Sequence, residues 1–175
     1  PQYIFQQCMY AQEFKTLVAD RLYRHCYNGG VLTPEAATAF FDARKAEIDR
    51  AVVAESARWG DAKTNPPLTR DGNWLPAINN VRSSFFPNRT NVLIGQFRSL
   101  GWYPSFDPPV LNPRGGTVAP GSNTTITAGA GTPGGSIIYY TTDGSDPRLP
   151  GGGVNPAAQT TASGGSIAIT TSRVI

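Results

Sequence analysis

Asp143, Ser145 and Asp146 place two carboxylates and a hydroxyl within four consecutive positions of Tyr139-Tyr-Thr-Thr-Asp-Gly-Ser-Asp-Pro-Arg148. Hard cations take oxygen ligands of this kind, so a calcium site is one reading. Turn chemistry is the stronger one. Gly144 supplies the positive-φ position of a tight hairpin turn, and Asp before Gly or Pro bonds nearby backbone N–H groups. Three ligands are also few for calcium, which takes six to eight.

Other reactive residue types are scarce. His25 is the single histidine, so any Ser-His-Asp or Cys-His arrangement would have to use it. It falls in the last turn of an expected helix, where a partly cationic ring interacts well with unpaired carbonyls. Cys8 and Cys26 cannot pair if they share one helix, since 18 positions at about 1.5 Å each separate them by about 27 Å. A disulfide needs Cα atoms within about 7 Å, so both read as buried free thiols. Trp74, Trp102 and Tyr103 are candidates for stacking on sugars, weighed against packing at helix starts and at a domain joint. Asn88 and Asn123 open glycosylation acceptor triplets. Glycine clusters such as Gly151-Gly-Gly153 lack a following helix and a Lys-Ser/Thr, so they read as loops that cradle no phosphate. No catalytic and no cofactor-binding residue is assigned.

The elements that position these residues fall into two classes. Tyr3 to Tyr27 reads helical, with a break near Ala11 and a glycine stop at Gly29-Gly30. Thr33-Pro34-Glu35 is an N-terminal helix signal, followed by Phe41, Ile48, Val52 and Trp59 as an apolar stripe. Trp59 is expected in the core, with Lys45–Asp49, Glu47–Arg50 and Glu55–Arg58 as helix-face pairs. Trp74, Ile78, Val81 and Phe85 mark a third helix. A fourth opens at Pro87 or Asn88, carries Leu93, Phe97 and Leu100, and stops at Gly101. Strands are expected at 124–128, 136–142 and 166–171, with short ones near Val110 and Val118. The fold class is therefore α+β in two segments: a small all-α helical bundle over 1–105 and an Ig-like β-sandwich over 106–175.

Composition agrees with a turn-rich globular chain. Of 175 residues, 39% are hydrophobic and 15% charged, with 19 Gly and 15 Pro. Net charge is +3, carried by residues 1–103 without basic clustering, which argues against nucleic acid as a partner. No apolar run reaches the ~18 residues of a membrane span. The chain starts without Met and ends inside an expected strand, so it reads as a piece of a longer protein.

Two resemblances follow from the motifs. Tyr139–Arg148, preceded by Arg114-Gly-Gly-Thr-Val-Ala-Pro-Gly121, resembles the Ig-like module at the C-terminal end of chitobiases and β-hexosaminidases, over roughly residues 108–175. Relatives of that module accompany secreted bacterial proteins and are non-catalytic. The first hundred residues resemble the C-terminal helical part of CotH-like proteins, an atypical kinase-fold family. The matching pieces are Glu13-Phe14, Ala19-Asp-Arg21, Asn28-Gly-Gly30, Leu32-Thr33, Ala54–Asp61, Phe86-Pro-Asn-Arg89 and Gly101-Trp-Tyr-Pro104. The family's ATP-contacting Lys and metal-binding Asp residues have no counterpart here. The resemblance thus implies a non-catalytic segment of an extracellular or cell-surface protein, a spacer or binding unit with polysaccharide or surface proteins as partners. The alternatives are the C-terminal lobe of an atypical kinase whose ATP site lies upstream, and a structural assembly subunit.

Overall fold

The computed structural model describes residues 2–175, without the side chain of Gln2. The fold is α+β, helical up to residue 99 and built of short antiparallel strands from residue 110. Five α-helices are formed: α1 (Gln2–Cys8), α2 (Gln12–Cys26), α3 (Pro34–Trp59), α4 (Leu75–Asn80) and α5 (Phe86–Ser99). Five strands follow: β1 (Val110–Asn112), β2 (Ser122–Thr127), β3 (Ile138–Tyr140), β4 (Gln159–Thr161) and β5 (Gly165–Ile169).

By contacts the chain separates into two compact units, residues 20–101 and residues 2–19 together with 102–175. The expected all-helical segment 1–105 therefore does not act as one body: its first helix and the start of α2 belong with the β segment.

In the helical unit, α2 ends where Asn28 (φ 56°) and Gly29 (φ 77°) take left-handed conformations. Gly30 serves a different purpose from the expected left-handed cap. A Cβ there would stand 2.4 Å from the His25 carbonyl oxygen and 2.5 Å from that of Arg24, so only glycine lets the chain pass this close. Thr33 then caps α3, accepting from the Ala36 N–H at 3.4 Å while its hydroxyl donates to the Gly30 carbonyl at 2.8 Å.

Helix α3 lies antiparallel to the 70–99 run, in a ladder of contacts. Asp49 meets Arg70 at 2.7 Å, Asp42 meets Arg82 at 2.9 Å, and Phe41 stacks edge-on to Phe86 with ring centroids 5.2 Å apart. The Thr90 hydroxyl donates to the Leu32 carbonyl at 2.5 Å. Two expectations are corrected here. Trp59 is 54% exposed and Ile48 49% exposed, because α3 turns its Phe41, Lys45, Asp49 and Val52 side toward the partner run, and the Asp42 and Asp49 pairs hold it there. Lys45–Asp49 forms at 3.5 Å, whereas Glu47 pairs with Arg44 at 2.7 Å and Arg58 lies 5.0 Å over the Trp59 ring.

The expected third and fourth helices are one continuous run. Two π turns, Arg70–Trp74 and Val81–Phe85, precede α4 and α5. Each closes with an i→i−5 bond, Leu75 N–H to Arg70 and Phe86 N–H to Val81, and each is followed one residue later by a proline, Pro76 or Pro87. A proline ring clashes with the carbonyl four residues back and leaves it unpaired; a wide π turn opens that spot, so the helix continues instead of breaking. The π turn also inserts one residue. The packed face thus steps from Val81 to Phe86, leaving Phe85 49% exposed, then to buried Thr90 and Ile94.

In the other unit, β1-β2-β5 form one antiparallel sheet and β3-β4 a second. Registers include Leu111 opposite Ile126 and Thr124 opposite Ile167. Alternation along the strands sends Ile126 and Ile167 inward, where they join Ile138 from the second sheet in one apolar cluster with Leu111, Ala128, Tyr140 and Ile175 against it. Near Val118 no strand forms, and β4 was not foreseen.

Candidate functional site

The Asp143–Asp146 loop leaves β3 through Thr141, a buried residue whose hydroxyl donates to the Ser145 carbonyl at 2.5 Å. Asp143 Oδ1 accepts from the Ser145 N–H at 2.9 Å and from its hydroxyl at 2.7 Å. Gly144 has φ 79°, the left-handed value a non-glycine residue resists. Those two bonds from Ser145 hold the Asp143 carboxyl below the usual carboxylate range. Asp146 Oδ1 accepts from the Arg148 N–H at 2.8 Å, its other oxygen meets the Arg148 guanidinium at 3.4 Å, and its carbonyl accepts from the Asn155 amide at 2.8 Å. Both carboxylates are thus turn-makers. Among the described residues, no group of three or more His, Cys, Asp and Glu side chains stands together as a metal ligand set.

The loop is not the tight hairpin the sequence implied. β3 pairs with β4, in register Ile138 with Thr161 and Tyr140 with Gln159, across the whole connection 141–158. The Asp-Gly turn instead bends the chain away from β3 toward the Arg148–Val154 bridge.

The three candidate stacking residues divide between the two units. Trp74 sits half-buried in the helical unit, with the Lys45 ammonium 6.0 Å from its ring centroid. Tyr103 is buried, at 8% exposure. Trp102, half-buried, closes a trio with Phe5 (6.2 Å) and Phe14 (6.1 Å), which themselves lie 6.2 Å apart and edge-on. This trio fixes α1 and the start of α2 to the chain that leads into β1. A second tie comes from the loop beyond β3, where the Gly151 N–H donates to Glu13 at 3.1 Å. Sequence reasoning missed this assembly, because aromatic residues nearly a hundred positions apart carry no periodic signal. A glutamate at the start of a helix likewise reads as a dipole partner.

His25 lies half-buried in the final turn of α2, and its carbonyl accepts from the Leu32 N–H at 2.8 Å. Cys8 and Cys26 are both free, Cys8 half-buried and Cys26 buried; burial pushes the Cys26 thiol pKa up. In the acceptor triplets, the Asn88 amide donates to the Ser84 carbonyl within the helix, and Asn123 is exposed on β2. No described helix is long and apolar enough to cross a membrane.

A shallow cleft of about 100 Å³ opens in the β segment, bordered by Leu111, Thr124 and Ile169 and by the Arg114 and Arg173 side chains. That is well below the roughly 300–1,000 Å³ of a site enclosing a small-molecule substrate. Comparison of the chain with protein-family models, with curated proteins and with solved structures gives no match.

Proposed function

We propose that these residues form a non-catalytic binding and spacing unit of a secreted or cell-surface multidomain protein, with polysaccharide as the ligand class. The observation that carries this reading is how the acidic side chains are used. Asp143 and Asp146 shape turns, Asp42 and Asp49 bridge helices, and Glu13 ties α1 and α2 to the Gly151 loop. General acid–base work needs such a group poised on a reacting atom; here they are bonded to the chain itself. The exposed rings of Tyr3, Tyr10 and Tyr139 supply amphipathic surface, apolar on the face and polar at the tip, of the kind that suits sugars. The resemblance of residues 108–175 to a non-catalytic module of carbohydrate-active proteins supports the same reading.

A glycan array probed with the full chain, with and without calcium, tests it. Retention on a polysaccharide class, unchanged when calcium is chelated, is the expected result. Blank arrays in both conditions, or phosphate transfer from ATP by this chain, would overturn it.

A further inference from the structure

β3 carries apolar side chains on both of its faces, and the fold covers one of them. Ile138 points inward, to the cluster with Ile126 and Ile167. Successive side chains alternate across a strand, so Tyr139 points outward, where it is 44% exposed. Ile137, on the outer side by the same alternation, is 59% exposed. A continuous apolar run is the mark of a strand covered on both faces; here the outer face lies open. Ile175 packs against the inner cluster, away from that face.

The neighbouring strand keeps this face open and uncharged. Thr160 of β4 stands directly opposite Tyr139, so the two side chains share a face, and Thr160 is exposed. A threonine is too short to cover a phenol ring, and it sets a hydroxyl beside it. Size and chemistry then choose the occupant. Three side chains offer far less than the ~800 Å² per partner of a stable protein–protein interface, which disfavours a second copy of the chain. An acidic sugar would find no cation among Ile137, Tyr139 and Thr160. A neutral sugar ring fits: its C–H face packs on the aromatic ring, and its rim hydroxyls meet the phenol and threonine hydroxyls.

We propose that the outer face of the β3–β4 sheet is the glycan-stacking surface of this chain, taking a sugar ring of a neutral polysaccharide on Tyr139, with Ile137 extending the apolar contact and Thr160 supplying a polar one. This rests on the polysaccharide reading above and gives it a site and a charge class.

Nuclear magnetic resonance titration of the full chain with cellohexaose, laminarihexaose and mannohexaose, beside its retention on cellulose, curdlan and mannan, separates the two claims. A hexamer is expected to shift the amides of β3 and β4 most, with an affinity that holds as salt rises, since no charge is involved. Tyr139→Ala should lower that affinity about tenfold or more, as loss of a ring at the centre of a contact does. If that variant unfolds, Thr160→Arg, an exposed substitution that lays a long side chain beside the ring, should give a similar loss in a folded chain. Tyr3→Ala and Tyr10→Ala should bind as the wild type does. Shifts centred on other elements, or affinity unchanged in both Tyr139→Ala and Thr160→Arg, would overturn the β3–β4 assignment and leave the broader function intact. So would a dimer of the wild type that Tyr139→Ala abolishes. Hexamer binding at β3 and β4 with no polymer retained would support the assignment and overturn the polysaccharide function, and no binding of hexamer or polymer would overturn both.

Discussion

The two units hold themselves together by different means. In the β segment three isoleucines from both sheets are nearly closed to water, Ile126 at 5%, Ile138 at 7% and Ile167 at 5% exposure. In the helical unit α3 buries no residue along its whole length, and it meets the 70–99 run through half-exposed ion pairs, an aromatic pair and the Lys45 ammonium near the Trp74 ring. Apolar burial carries no charge for salt to screen or acid to neutralise, whereas ion pairs near the surface are screened by one and neutralised by the other. High salt should therefore weaken the helical hairpin and spare the β core, while acid removes a carboxylate bond from each, Asp49 in the one and Asp143 in the other.

The largest expected effect lies in the β core. Ile167→Ala removes a buried side chain from a cluster fed by two sheets and should cost about 2–5 kcal/mol, read by chemical denaturation. An Ile167→Ala chain with an unchanged midpoint for the β segment would break the comparison. Next comes the close passage after α2. Gly30→Ala drives a methyl group against the Arg24 and His25 carbonyl oxygens, and overpacking of this kind costs about 1–3 kcal/mol, measured as a drop in the helical melting temperature.

The smallest effect sharpens the contrast by pH. Hydrogen bonds from Arg70, with the charges of Arg70 and Lys45, hold the Asp49 carboxyl below its ordinary value. The stabilisation is complete above the ordinary aspartate pKa of about 3.9 and is lost as pH falls through the lower folded-state value. Arg70→Met should flatten this acid loss in a titration followed by circular dichroism, and high salt should mimic the variant. An acid slope identical in wild type and Arg70→Met would remove Asp49 from the account.

What the sequence disclosed follows the range of the forces involved. Thr33-Pro34 announced the start of α3 because capping is settled within four residues. The alternation around Ile126 and Ile167 disclosed two of the strands, because a half-buried strand repeats every second position. Trp59 misled, since periodicity says which residues share a helix face and is silent on whether anything covers it. Phe85 misled for another reason: the π turn before Pro87 adds a residue that a 3.6 period does not count, and Phe86 takes its place. The loop acids were legible as turn-makers, yet the partner of β3 was not, because pairing across residues 141–158 depends on the whole connection. Glu13 and the Phe5–Phe14–Trp102 trio were invisible for the same reason, being long-range contacts made by residues of ordinary local meaning.

The central claim is that α1 and the start of α2 belong to the β segment even though they are continuous with the helices. Amide hydrogen exchange on the Ile167→Ala chain tests this directly. If the claim holds, amides of α1 lose protection together with those of β2 and β5, while amides of α3 and α5 exchange as in the wild type. Unchanged protection of α1, or loss of protection in α1 together with α3, would contradict it.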